Sequence, residues 1–564
     1  MDRRVALVLL AVLGTGVFLA GLELMITAVA LPAIIVDLGS WTELRHASWI
    51  INAYLLVYVA TMPLAGRLAD TWGARRLFLA ALVFFTLGSL LAGMAQSLDQ
   101  LIAARAVQAL GGGALVPVAT AAASHLFTGH DRPRALGVIG ALTFLGMAAG
   151  PFLGAAILDA VQPAAALARL GLLNQPVADF LAPAWRYVFY VNVPIGLAAL
   201  AIGWAATAGW DTPRSKARVD VAGALLFTVA LGAVLLGVTL IGQSGGAQGG
   251  PDVGGPPGGG PDPEVVSAAL IAIGVGAGAT AVILGLRRRD PFLDPRLFAD
   301  RVFASAALVS LLTGYAFATA IVGSAVFVDR VLYGGPDDQR LALGALAGAT
   351  AVGALVSGWL VRHWSLRAVT AVGLGASTAG LLWMGTWDPH VSYATVAGAA
   401  ALFGFGFGLT VTPRSTAAVE TVGRARFGVA SATVTVARMI GMAVGLAILT
   451  AYGSTTIDRL SAEVFGSPDA YKAIVGPLLA DRPLRDPFVV DALEAWAAAR
   501  AAETMVALFL VAAAVTVAAL PAGVALGARP RMLRDEAAAA AVAAGGPDDG
   551  GARPDGESEP TLAL

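Results

Sequence analysis

Fourteen runs of predominantly apolar residues punctuate this 564-residue chain, at about 6–33, 46–65, 76–95, 100–124, 134–159, 185–207, 219–241, 265–286, 302–328, 341–361, 368–387, 393–413, 428–451 and 502–527. A stretch of about 20 such residues crosses the hydrocarbon core of a bilayer as an α-helix. Only 13% of the residues are charged, against about 25% in a soluble domain, too few to wet a water-facing surface of this size. The chain therefore reads as an all-α, multi-pass membrane protein. The first run follows MDRR but is too long for a signal h-region and lacks a small-residue cleavage site, so it reads as a retained helix.

Basic residues orient the spans. With the N-terminus inside, 24 of the 36 Lys and Arg fall on cytoplasmic segments and 10 outside, five of these in the long loop 452–501. The positive-inside rule then predicts both termini in the cytoplasm. The Gly- and Pro-rich stretch 242–263 reads as a flexible outside loop joining spans seven and eight. The expected organisation is a six-helix bundle over 1–207, an inserted two-helix hairpin over 219–286, a second six-helix bundle over 302–527 and a disordered cytoplasmic tail over 535–564. In loop 452–501, Leu478, Leu479, Phe488, Val489, Leu493 and Trp496 recur at helical spacing and predict a short amphipathic helix.

Much chemistry is excluded. The chain has no Cys, its five His are scattered near loop ends, and no GxxxxGK[ST] loop is present. No metal site or cofactor is expected, and an ion gradient becomes the energy source. A net charge of −1 gives nucleic acid nothing to bind.

The loop after span two reads GRLADTWGARR, with Gly66, Asp70, Gly73, Arg75 and Arg76. As a basic turn it needs the glycines for its geometry, and Asp70 can accept from arginines or cap a helix. The run resembles the G-x-L-x-D-x-x-G-R-[RK] signature of the major facilitator superfamily, with Ala74 replacing a basic residue, and SGWLVRHWSLR echoes it between spans ten and eleven. Arg105 and Gln108 in span four match that family's R-x-x-Q-G, with Ala109 replacing glycine. Span five carries Gly146, Gly150, Pro151 and Gly154, small residues that let helices approach closely. Their G-x-x-x-G-P-x-x-G pattern resembles the family's antiporter motif. LELMITAVALPAI and WRYVFYVNVPIG are similar to segments of its fourteen-helix drug:proton antiporters, with Glu23 replacing Asp. ASWIINAYLLVYVATMPLAGRLAD and GVASATVTVARMIGMAVG also resemble mycobacterial lipid exporters of the triacylglyceride-transporter type.

The resemblance implies a monomeric, proton-driven exporter of lipophilic molecules working by alternating access, multidrug-efflux type first and lipid exporter second. A transporter-shaped sensor or scaffold is the reading from another class; an enzyme is not expected.

Glu23 is the one acid near the middle of a span, where an ionisable residue marks function. Counting about 1.5 Å per residue puts Glu23 and Arg105 within about 5 Å in depth, so they are expected to couple. Arg438 lies near the middle of span thirteen and needs a counter-charge or water, with Glu23 and Asp70 both open as partners. Asn52, Tyr54, Gln108, Asn192 and Tyr315 are candidate linings of a substrate cavity, or ordinary helix–helix hydrogen-bonding groups.

Overall fold

A computed structural model describes residues 3–38, 44–47, 49–129, 131–172, 174–176, 178–207, 212, 214, 220–244, 263–288, 291–292, 294–422, 426–465, 467–483 and 485–527. The expected tail 535–564 and nearly all of loop 242–263 lie outside the described residues. Fourteen helices carry the fold. The first six are α1 (Arg3–Leu38), α2 (Trp49–Trp72), α3 (Ala74–Met94), α4 (Leu98–Leu126), α5 (Asp131–Ala160) and α6 (Asn192–Ala206, preceded by the turn Arg186–Tyr190). Then come α7 (Val221–Ser244), α8 (Pro263–Arg287), α9 (Arg301–Arg330), α10 (Pro336–His363), α11 (Leu366–Met384), α12 (Tyr393–Glu420), α13 (Phe427–Phe465) and α14 (Pro487–Ala518). Thirteen of the fourteen are long and apolar enough to cross a membrane, and α7 adds the apolar stretch Ala222–Val238.

Side-chain caps fix where several helices begin. Ser97 accepts from Gln100 N at the start of α4, Asp300 from Val302 N and Phe303 N at α9, and Asp486 from Phe488 N at α14. Each satisfies an amide that the first turn leaves without a partner.

The same packing scheme appears twice. α1 packs on α5, α3 on α4 and α2 on α4; α9 packs on α13, α11 on α12 and α10 on α12. Adding eight converts one set into the other, as a parallel repeat requires. The two halves meet along α5 with α10 and α2 with α13, while α7 pairs with α8 and leans on α2 and α13. Only 11% of the apolar window of α8 is buried inside the protein, the smallest share among those thirteen helices.

Glycine makes the tight crossings possible. A Cβ on Gly146 would run into the Phe18 carbonyl of α1, and one on Gly150 would lie 2.8 Å from Met25 Cβ. In the second half, a Cβ on Gly441 would strike the Leu311 carbonyl, and one on Gly445 would lie 2.7 Å from Tyr315 O. Backbones this close gain dispersion contact that larger side chains would forbid. Pro151 sits inside α5, which continues through it.

The segment 452–501 differs from the expected loop. α13 continues to Phe465, a short helix spans Pro468–Val475, and α14 starts at Pro487, well before the apolar run at 502. Hydropathy stops where hydrocarbon stops, whereas backbone hydrogen bonding continues into water.

Candidate functional site

Below, the near face is the one carrying Arg3 and the end of α2, and the far face is the opposite one. Among the polar assemblies that the described residues bury, three bear on a site.

The first centres on Glu23 of α1, which is fully buried. Its Oε1 forms an ion pair with Arg105 Nη1 of α4 and accepts from Thr27 Oγ1 at 3.0 Å. Asn192 Nδ2 of α6 donates to Oε2 at 2.7 Å. Arg105 also donates to Gln108 Oε1 at 2.6 Å and, through Nε, to the Ile50 carbonyl at 3.3 Å. Gln108 Nε2 in turn donates to Ser89 Oγ at 2.6 Å, and the Tyr54 ring lies 4.0 Å from the guanidinium carbon. Helices α1, α3, α4 and α6 thus converge on one buried charge pair, with an aromatic face from α2. An unpaired charge at this depth would be expensive, and pairing plus a full set of hydrogen bonds is what lets both groups stay.

The second assembly joins the halves at the near face. Asp70 Oδ1 accepts from Gly428 N at 2.8 Å, and Oδ2 from Val429 N at 2.9 Å. The carboxylate therefore caps α13, where amides without helical partners and the helix dipole both favour negative charge. Gly66 allows the approach: a Cβ there would lie 2.5 Å from both Ala432 Cβ and Gly428 O. Gly73 turns the chain at φ 95°, a left-handed value suited to glycine. Arg75 Nε donates to Thr207 Oγ1 at 2.7 Å, and Arg76 is exposed. The second seam closes on the same face, where a Cβ on Gly358 of α10 would lie 2.9 Å from Pro133 O of α5.

The third is a small cavity of about 40 Å³ between the halves. Thr120 of α4, Thr143 and Phe144 of α5, Arg414 and Ser415 of α12, and Thr435 and Arg438 of α13 contribute to its wall. Of the residues singled out from the sequence, only Arg438 lines it. Tyr54, Gln108 and Asn192 belong to the Glu23 assembly instead, because that charge recruits every nearby polar group. Asn52 is half-buried and Tyr315 is buried on α9, where α13 crosses it. Arg438 pairs with neither Glu23 nor Asp70. Arg414, counted from sequence among the cytoplasmic basic residues, is buried inside α12, which continues seven residues beyond the apolar run. A larger recess of about 500 Å³ opens toward the far face of the α5/α10 seam, beside Phe152, Asp337 and Arg340.

A family model described as "Major Facilitator Superfamily" matches residues 13–446. The chain belongs to the major facilitator superfamily. It is a multi-pass membrane transporter and not an enzyme. Curated relatives include a triacylglyceride transporter of Mycolicibacterium hassiacum, 32% identical over 84% of this chain and 84% of that one. A triacylglyceride transporter of Mycobacterium tuberculosis is 30% identical over 82% of this chain and 84% of its own. Among solved structures, a human organic anion transporter aligns over 92% of this chain and 100% of that one, with a TM-score of 0.57 at 14% identity. A proton:xylose symporter covers 95% of this chain and 100% of that one, with a TM-score of 0.55 at 11% identity. At such identities the two structures speak for the fold alone.

Proposed function

We propose that this superfamily member exports lipids or lipid-like amphipathic molecules in exchange for protons. The relatives' lipid cargo supports the lipid reading over drug efflux. The observation that carries proton coupling is the buried Glu23–Arg105 pair, an ionisable assembly in the middle of one half. Three donors converge on the Glu23 carboxylate in this state, so a movement of α4 or α6 that withdraws Arg105 or Asn192 changes what competes with a proton for it. Such a movement ties protonation to conformation. One proton crossing 100 mV supplies about 2.3 kcal/mol, enough for about a fiftyfold cargo gradient.

The proposed working cycle has two six-helix halves rocking around the central cavity, with the α7–α8 hairpin inserted between them in sequence. Asp70, Gly66, Gly73, Arg75 and Arg76 close the cytoplasmic gate, and Gly146, Gly150, Pro151 and Gly154 hold the α1/α5 crossing. The protein works as a monomer in the bacterial inner membrane with both termini in the cytoplasm.

The test is transport in proteoliposomes under an imposed pH gradient, with a fluorescent long-chain acylglycerol in one arm and a lipophilic cation in the other. Uphill movement of the lipid that stops in Glu23→Gln is the expected result. Movement of the cation alone would return the drug-efflux reading. Undiminished uphill transport by Glu23→Gln would remove Glu23 from coupling, and silence in both arms would leave a sensor or scaffold.

A further inference from the structure

Six arginines are buried among the described residues, and Arg67, whose Nε has no hydrogen-bond partner, lies three residues from the Asp70 carboxylate on α2. Arg105 meets Glu23, Arg132 donates to the carbonyls of Ser124 and Phe127, and Arg186 donates to those of Gly93 and Ala95 with Asp37 3.7 Å away. Arg414 and Arg438 have no such company. Both are at least nine-tenths buried, and among the described residues no carboxylate lies within ion-pair distance of either. Among the described residues Arg414 makes one hydrogen bond, to Thr313 Oγ1 at 2.7 Å, and Arg438 makes none, its Nε being buried without a partner. An aromatic ring backs each guanidinium, Phe407 at 5.2 Å and Phe144 at 5.6 Å.

Both arginines line the same cavity between the halves. Arg414 lies six residues before the end of α12 and Arg438 eleven after the start of α13, so their Cα atoms differ by about 7 Å in depth. Long side chains close that gap around a shared occupant. The threonines of the wall leave the donor role to the guanidiniums: Thr120, Thr143 and Thr435 return their hydroxyl hydrogens to carbonyls of their own helices. Two unmatched positive charges buried side by side are unfavourable unless something negative joins them. A guanidinium is shaped to hold the paired oxygens of a carboxylate or phosphate.

We propose that Arg414 and Arg438 form a binding site for an oxyanion at the head of an amphipathic cargo. Resting on the lipid-export reading, this names the cargo class: an acyl-chain lipid ending in a carboxylate or a phosphate, distinct from the neutral triacylglycerides named for the relatives. Val116, Leu136, Ile139, Val411 and Val434 supply the apolar part of the wall, and at about 40 Å³ the cavity must widen as the halves part before an acyl chain can lie along it beside the headgroup.

The test measures thermal protection of the purified full-length protein by three probes with one oleoyl chain, each below its own micellar concentration. Oleate carries a carboxylate, oleoyl lysophosphatidate a phosphate, and monoolein no charge. Both anions are expected to protect at concentrations at least about tenfold below monoolein, from charge-assisted hydrogen bonding. Whichever anion protects at the lower concentration identifies the headgroup. The preference should shrink below about threefold in R414Q/R438Q and survive in part in R414K/R438K. Should the double variant fail to fold, R438Q carries the comparison, and the wild-type preference stands without either.

Equal protection by all three probes, or a preference that survives R414Q/R438Q, overturns the proposal. Inorganic phosphate protecting at the same concentration as the amphiphiles also overturns it, by reducing the site to a small-ion site. Wild-type transport of the neutral acylglycerol without any anionic preference defeats this inference and leaves lipid export standing. Anionic preference without lipid transport defeats the export reading instead.

Discussion

Replacing Asp70 with asparagine is the most incisive perturbation, because one side chain joins the two halves at the near face. The carboxylate accepts from two consecutive amides at the start of α13, at 2.8 and 2.9 Å. Asparagine keeps one carbonyl acceptor and turns an amide toward the other N–H. The loss is therefore about one charge-assisted hydrogen bond together with the charge–dipole attraction, about 2 kcal/mol. At about 1.4 kcal/mol per tenfold, that is about a thirtyfold rise in the ratio of open to closed near face. The chain has no Cys, so one introduced thiol reports alone. Ser431→Cys suits the purpose: the serine is buried on α13, one turn before the cavity-lining Thr435. When reclosing is faster than reaction, maleimide labelling reports the open population even where opening is rare. Asp70→Asn in that background should label about thirty times faster. A rate within about threefold of the parent, in a protein that remains folded, would refute Asp70 as the clasp.

Three further outcomes follow from the same geometry. Glu23→Gln leaves Arg105 charged and buried, which should destabilise by about 3–5 kcal/mol and lower Tm, and Glu23→Gln with Arg105→Met should recover much of that stability without recovering transport. Gly146→Val should collide with the Phe18 backbone and, by forcing α1 from α5, destabilise by at least about 1–3 kcal/mol, read as a lower Tm and lost transport. Arg186→Ala should strip the Ala95 carbonyl of its donor, at about 1–3 kcal/mol, and lower Tm, while Tyr190 Oη still donates to the Gly93 carbonyl.

The spans were legible because lipid imposes one strong rule on composition, and the helices follow it. The depth of Glu23 and Arg105 could be counted from their helices, so their pairing could be anticipated. Thr27, Ser89 and Asn192 around them could not be assigned, since rotation about each helix axis decides which neighbours face inward. Asp70 gave two options, and only the juxtaposition of α2 and α13 selects the cap. Arg414 was missed because it follows Pro413 at the end of an apolar run, where helix and water-facing turn read alike. The signal was there in the apolar and small residues 416–419 that continue the helix beyond it. The polar wall of the cavity was illegible for a related reason: threonines that bond back to their own helix look the same whether they face lipid, protein or a void.

α13 is 39 residues long, so it measures about 58 Å, nearly twice the thickness of a hydrocarbon core. Its first turn is capped by Asp70, and the helix runs sixteen residues past the apolar stretch that ends at Leu449. Its length makes it a lever between the two faces. A tilt of about 10° at the base would sweep the tip through about 10 Å, so a sub-ångström event around one carboxylate would be displayed, greatly magnified, on the far side of the membrane.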